Sequence, residues 1–242
     1  MKILYRIYQC IFWLPMLVIS TIIASLSVGI GSMLGGGKWW GYYPARYWGK
    51  FVCWISFVKV TVEGSENIDP KRPYVFVANH QSAYDIFAVY GYLGHSFRWL
   101  MKKSLEKIPF LGWGCKRAGH VFVDNSSPAA VRETMATARK QLQKEGMSIT
   151  VFPEGSRSWD GKMIPFKKGA YLLAVQFNLP IVPITIDGAF DVMPRYKKLP
   201  MWGHIKITIH KPLEVPENGF RIKTVMEETY NIIHSALPEK DQ

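Results

Sequence analysis

A chain of 242 residues, 48% hydrophobic and 14% aromatic, is long and apolar enough for one domain with a sizeable core plus an appendage, which excludes intrinsic disorder. Its net charge of +12 points to anionic partners: nucleic acid, anionic lipid or anionic substrates. The three cysteines, Cys10, Cys53 and Cys115, include no CxxC pair, which argues against a disulfide framework or a zinc site and fits a reducing compartment.

The N-terminal segment comes first. Residues 7–37 are all uncharged. As one helix they would extend about 46 Å, against roughly 30 Å of bilayer hydrocarbon. The run is too long for a signal-peptide core and lacks an A-x-A cleavage site. Cations flank it on both sides (Lys2 and Arg6; Lys38, Arg46 and Lys50), so charge sets no orientation. After Gly35-Gly36-Gly37 comes an aromatic stretch, Trp39 to Phe57, with the mixture of rings and cations that suits the headgroup level. Residues 1–56 therefore read as two membrane-associating helices hinged at the glycines, entering one leaflet or re-entering; a single tilted span is the alternative.

Residues 57–242 change to short apolar runs alternating with helical patterns. Strands are expected at 58–62, 74–78, 98–101, 121–123, 148–152, 181–186 and 205–209. Helices are expected at 83–94, 107–117, 128–145, 168–178 and 221–236. Segment 128–145 has Ser127 to cap it, Pro128 at its first position, Gly146 at its exit, and an apolar stripe of Val131, Met135, Ala138 and Leu142. The alternation predicts an α/β domain: a mostly parallel, mixed sheet of about seven strands flanked by helices. The last strand alternates apolar and polar residues and should be half exposed.

Two motifs about seventy residues apart each follow a strand. Open α/β folds place their chemistry in loops at that edge of the sheet. The first is Asn79-His80-Gln81-Ser82-Ala83-Tyr84-Asp85. Histidine titrates near neutrality and can take a proton from a hydroxyl; a carboxylate holds the ring and stabilises the imidazolium. Five residues subtend about 140° on a regular helix. His80 and Asp85 therefore meet only with His80 in the loop and Asp85 in the first helical turn. Ser82 and Asp85 also match a capping box, a purely structural role.

The second motif is Phe152-Pro153-Glu154-Gly155-Ser156-Arg157-Ser158. Arg157 offers a planar fork for phosphate. Glu154 can orient that arginine or accept from a substrate hydroxyl, and Gly155 allows a tight turn. A surface Glu–Arg pair of little energetic weight is the bland alternative. There is no GxSxG elbow, Walker A loop or GxGxxG. The other histidines show no metal-ligand spacing.

These two motifs resemble the first and third of the glycerolipid acyltransferases, and within them the bacterial branch acting on lysophosphatidic acid. The resemblance extends through Lys102-Lys103-Ser104-Leu105, Ile108 to Trp113, Asp160 to Ala170 and Ile181-Val182-Pro183-Ile184, covering roughly 58–215. It implies acyl transfer from an acyl carrier protein or coenzyme A thioester to the sn-2 hydroxyl of lysophosphatidic acid. His80 would be the base and Asp85 its partner. Arg157 and Lys103 would hold the phosphate, and Glu154 and Gly155 would order the glycerol end. The second motif usually closes with an arginine; here Phe122-Val123-Asp124 is followed by Asn125, which can donate a hydrogen bond but brings no charge. No metal, bound cofactor or nucleic acid is implied. Anionic membrane lipid is, with the catalytic domain on the cytoplasmic side of the inner membrane. Two alternatives are a sister enzyme acylating glycerol-3-phosphate or another lysolipid, and a silent lipid-binding protein.

Overall fold

The computed structural model describes residues 2–124, 126–127, 129–134, 136, 146–215 and 222–241. Helix α1, Lys2–Met33, is one continuous apolar rod. It widens into a π-helical turn at Gln9–Trp13, where the Leu14 N–H reaches back to the Gln9 carbonyl. Pro15 explains the position, because its ring lacks an N–H and clashes with the carbonyl four residues back. Gly35 (φ +108°) and Gly36 (φ +70°) then reverse the chain. A single turn, Gly37–Trp40, leads into α2, Tyr43–Ile55. The expected pair of helices hinged at the glycines is present.

The two helices meet the rest of the molecule differently. On α1, Met16, Ile19, Ile23, Ile30 and Met33 are exposed at helical spacing. On α2, Val52 and Cys53 are fully buried in the main core, beside Tyr84, Ala88 and Val89. Helix α2 crosses α3, Tyr84–Tyr92, closely enough that a Cβ on Gly49 would lie 2.7 Å from the Phe87 carbonyl oxygen. The second helix therefore belongs to the packed core, while the first presents an unburied apolar stripe.

Seven strands form one sheet among the described residues: β1 Val58–Glu63, β2 Val75–Ala78, β3 Phe97–Lys102, β4 Val121–Val123, β5 Ser148–Val151, β6 Ile181–Asp187 and β7 Gly203–Ile209. Their order is β1-β7-β6-β2-β5-β3-β4. Only the β6–β7 pairing is antiparallel. Residues of β2 alternate between faces, as the pleat requires. Phe76 and Ala78 join the core under α2 and α3. Val75 and Val77 join a second core under α5, Gly169–Phe177, and α6, Ile222–Ser235. On β7 every second residue from Ile205 is buried, as its pattern predicts.

The expected helix at 107–117 is shorter. A 3-10 turn covers Lys103–Lys107, and α4 runs only over Leu111–Arg117. Pro109 is the cause. It disfavours helical backbone at the residue before it, and Ile108 is extended at ψ 120°. Ser127 accepts from the Ala130 N–H at 3.1 Å, as a cap should. Residues 129–134 are helical, and most of the remaining expected helix lies outside the described residues.

Because β2, β5, β3 and β4 are adjacent and parallel, their C-terminal ends share one edge of the sheet. Both motifs leave from that edge.

Candidate active site

Asn79 is the first residue beyond β2 and is fully buried. Its side-chain amide donates to the Ile186 carbonyl and its oxygen accepts from the Ile186 N–H, both at 2.8 Å. That reciprocal pair continues the β2–β6 ladder through a side chain and fixes where the next residue begins. The next residue is His80.

His80 Nδ1 lies 2.8 Å from Asp85 Oδ2. The same carboxylate oxygen accepts the backbone N–H groups of Gln81 and Ser82, each at 2.8 Å. Ser82 Oγ accepts from the Tyr84 N–H and donates to the Met193 carbonyl. The capping and catalytic readings are therefore one arrangement: Asp85 ties down the start of α3 and holds the imidazole. An ionised carboxylate on Nδ1 makes that nitrogen the donor and leaves Nε2 as the basic site of the neutral ring. Asp85 is buried and the His80 side chain keeps only 14% of its exposure. The imidazole lies flat on Phe152, with centroids 4.0 Å apart and planes 9° from parallel. Phe152 in turn stacks on Trp99 at 5.1 Å.

The second motif closes over the backbone of the first. Glu154 Oε1 accepts the His80 N–H at 2.6 Å, and Oε2 accepts the Ile164 N–H at 2.9 Å. The Ser158 N–H donates to the His80 carbonyl at 3.1 Å. Gln81 Nε2 donates to the Gly161 carbonyl. Both sides of the His80 peptide are thus held by one loop. Gly155 makes the turn possible at φ +74°, a region L side chains rarely adopt.

Glu154 gains a positioning role that its spacing did not signal. Both its oxygens are taken by backbone N–H groups, and the residue is 1% exposed. It positions the His80 loop. Burial pushes its carboxyl up to about 8, with the Asp85 charge in the same direction and the two N–H bonds opposing.

Lys103 lies further along the same edge. Its ammonium sits 2.7 Å from Asp124 Oδ2. This pair and an amide contact from Ser126 hold the Asp124 carboxyl well below its ordinary range. The pair stands at the ends of β3 and β4, two and three strands from β2, roughly 10–15 Å along the edge. Asn125 lies outside the described residues. Arg157 is half-buried in the loop that clamps His80.

One functional candidate has no counterpart in the sequence reading. Arg195 Nη1 donates to the Arg157 carbonyl at 2.8 Å. Its guanidinium lies 4.5 Å over the Trp159 ring. Its position after β6, and Pro194 beside it, were the only signals available. The other histidines have structural partners: His95 with Ser148, His120 with Tyr90, His204 with Thr61, His210 with Thr185, and His234 against Tyr230.

The model of the family described as Acyltransferase matches residues 59–187, more than half of the chain and the whole of the two clamped motifs. The chain belongs to the acyltransferase family. This acyltransferase is 34% identical over 174 residues to a chloroplastic 1-acyl-sn-glycerol-3-phosphate acyltransferase of Brassica napus, across 71% of this chain and 50% of that protein. It is 31% identical over 242 residues to an uncharacterized acyltransferase of Schizosaccharomyces pombe, across 98% and 85%. The crystal structure of the 1-acyl-sn-glycerophosphate (LPA) acyltransferase PlsC from Thermotoga maritima matches with a TM-score of 0.83 and 27% identity, over 97% of this chain and 95% of that one. The chain spans about half the length of the plant and algal relatives it matches.

Proposed function

We propose that this acyltransferase moves a fatty acyl group from a thioester to the sn-2 hydroxyl of lysophosphatidic acid, yielding phosphatidic acid and a free thiol. The observation that carries the reading is the His80–Asp85 pair at 2.8 Å, held on the loop edge of the sheet by the second motif. The naming of several relatives as 1-acyl-sn-glycerol-3-phosphate acyltransferases supports the same acceptor.

In this mechanism His80 Nε2 takes the hydroxyl proton as the oxygen attacks the thioester carbonyl. The resulting imidazolium is stabilised by Asp85 and lies on the electron-rich face of Phe152. Collapse of the tetrahedral intermediate breaks the C–S bond. His80 then returns its proton to the departing thiolate. No acyl-enzyme is required, and no bound cofactor enters; the donor is an acyl carrier protein or coenzyme A thioester. Arg157 binds the acceptor phosphate. The exposed stripe of α1 holds the enzyme on anionic lipid, and we place the catalytic domain at the cytoplasmic face of the inner membrane, where free thiols such as Cys10 persist.

The test is thiol release from an acyl thioester by purified protein in liposomes, with lysophosphatidic acid, glycerol-3-phosphate or no acceptor, and with His80→Ala alongside. Release that needs lysophosphatidic acid and vanishes in His80→Ala is expected. Release with glycerol-3-phosphate alone would keep the chemistry and change the acceptor. The uncharged Asn125 and the paired Lys103 give that second outcome its weight. No acceptor-dependent release would move the reading to a lipid-binding protein.

A further inference from the structure

We propose that Arg195 is the second guanidinium of the acceptor-phosphate subsite, supplying the charge that Asn125 withholds; this rests on the acyl-transfer reading above. Three observations converge. First, the segment before Arg195 is fastened to the catalytic loop. Pro194 forms a β-bridge with Ser82, two residues from His80, and Ser82 Oγ donates to the Met193 carbonyl at 2.9 Å. Arg195 therefore enters from the β6 side of the same edge, opposite the Glu154 loop.

Second, its guanidinium is already oriented. One N–H donates to the Arg157 carbonyl, and the planar group lies 4.5 Å over the Trp159 ring. The bond uses one of five donors. The bond and the ring contact already restrain the side chain, so less freedom is lost when an anion binds. A monoester phosphate carries more charge than one guanidinium matches. Two arginines joined through the backbone of Arg157 fit it better.

Third, Lys103, the lysine that the resemblance names, already has a carboxylate partner. The Lys103 ammonium is matched by Asp124 at 2.7 Å, on strands further along the edge. Trp159 packs against one face of the Arg195 guanidinium and leaves its N–H edge for an anion.

The discriminating variants are Arg195→Gln and Arg195→Lys in the full chain. Gln is neutral and two bonds shorter, so it gives up both the charge and the reach to the Arg157 carbonyl. Lys keeps the charge and loses the fork. Two readouts are needed: KM for lysophosphatidic acid and for the thioester during turnover, and calorimetric affinity for lysophosphatidic acid in detergent without donor. Arg195→Gln should raise the acceptor KM and weaken binding by about tenfold or more, as loss of a charge-assisted contact does. Donor KM should be unchanged, and Arg195→Lys should recover part of the loss. A phosphate-free monoacylglycerol should bind wild type and Arg195→Gln equally. Equal phosphate-acceptor affinity in wild type and Arg195→Gln would overturn the proposal, and so would an equal loss of monoacylglycerol binding, which would assign Arg195 to loop anchoring. Arg195-dependent binding without any thiol release would keep the subsite and sink the transfer reading instead.

Discussion

At the scale of single residues, the site is organised around the backbone and ring of His80. The N–H and C=O of His80 are held by Glu154 and Ser158, and its ring by Asp85 and Phe152. Asp85 receives three donors on one oxygen. Asp85→Asn keeps an acceptor but removes the charge that stabilises imidazolium. We expect kcat to fall by about 10²–10⁴, with a modest loss of thermal stability; unchanged turnover would assign Asp85 to capping alone. Glu154 makes a second prediction. Burial raises its native carboxyl to about 8, above its unfolded value. The stabilisation linked to its proton is therefore complete below the unfolded pKa and lost as pH rises through about 8. Glu154→Gln should melt below wild type at pH 5, because an amide presents N–H to a backbone N–H, and the gap should narrow towards pH 9. Parallel melting curves across that range would contradict the burial argument. The His80–Asp85 partnership was legible from spacing, since only a loop-to-helix geometry brings them together. The role of Glu154 was not, because its partners are main-chain groups of His80 and Ile164, which carry no residue-type signal. Arg195 was hidden for a related reason: its nearest partners, Arg157 and Trp159, are more than thirty residues away in sequence.

At the scale of elements, small residues decide how closely helices approach. The strands were readable because each is a short run that is apolar or alternates apolar with polar residues, but the start of α4 shifted at Pro109 and the contacts of α1 carried no periodic mark. Gly29 of α1 lies directly under the Trp113 ring of α4; a Cβ there would fall 1.9 Å from the indole. Gly114 meets Ser25 in the same crossing, where its Cβ would be 2.9 Å away. Such close packing is typical of helices that associate within lipid. A side chain at position 29 improves helix propensity by up to about 1 kcal/mol but must displace the indole. We expect Gly29→Leu to destabilise by about 1–3 kcal/mol, the usual range for overpacking. In a double-mutant cycle, Trp113→Ala should recover much of that loss. Strictly additive effects would show that the two residues do not compete for the same space. Arg98 secures the neighbouring hinge. Its buried guanidinium donates to the carbonyls of Gly41 at 3.3 Å and Gly37 at 3.4 Å, so the glycine turn is tied to β3 and not left to pivot freely.

At the scale of the whole molecule, the apolar helix α1 and the His80 loop are mechanically joined. Trp13 Nε1 donates to Ser56 Oγ at 2.8 Å, and Ser56 bonds the hydroxyl of Tyr84, the residue before Asp85. Tyr5 donates to the Ser56 carbonyl, and Gln9 to the Pro200 carbonyl. The sequence marked α1 as apolar. It could not show that one face is spent on these contacts, because the strand order that brings Ser56, Tyr84 and Pro200 together has no local signature. What remains outward is the stripe containing Ile19, Ile23 and Ile30, each half or more exposed. Changing all three to Gln leaves the inward contacts intact and removes apolar area from the lipid-facing side. At about 1 kcal/mol for each half-exposed isoleucine, vesicle partitioning should weaken roughly a hundredfold. Flotation with anionic vesicles measures this directly. Turnover should fall on bilayer-presented lysophosphatidic acid and stay near wild type on a short-chain analogue in solution, because the site itself is unchanged. Equal losses on both acceptors would mean that the stripe supports the fold. Undiminished flotation would mean that the basic surface alone, with its +12 charge, holds the protein on lipid, and binding should then collapse in high salt.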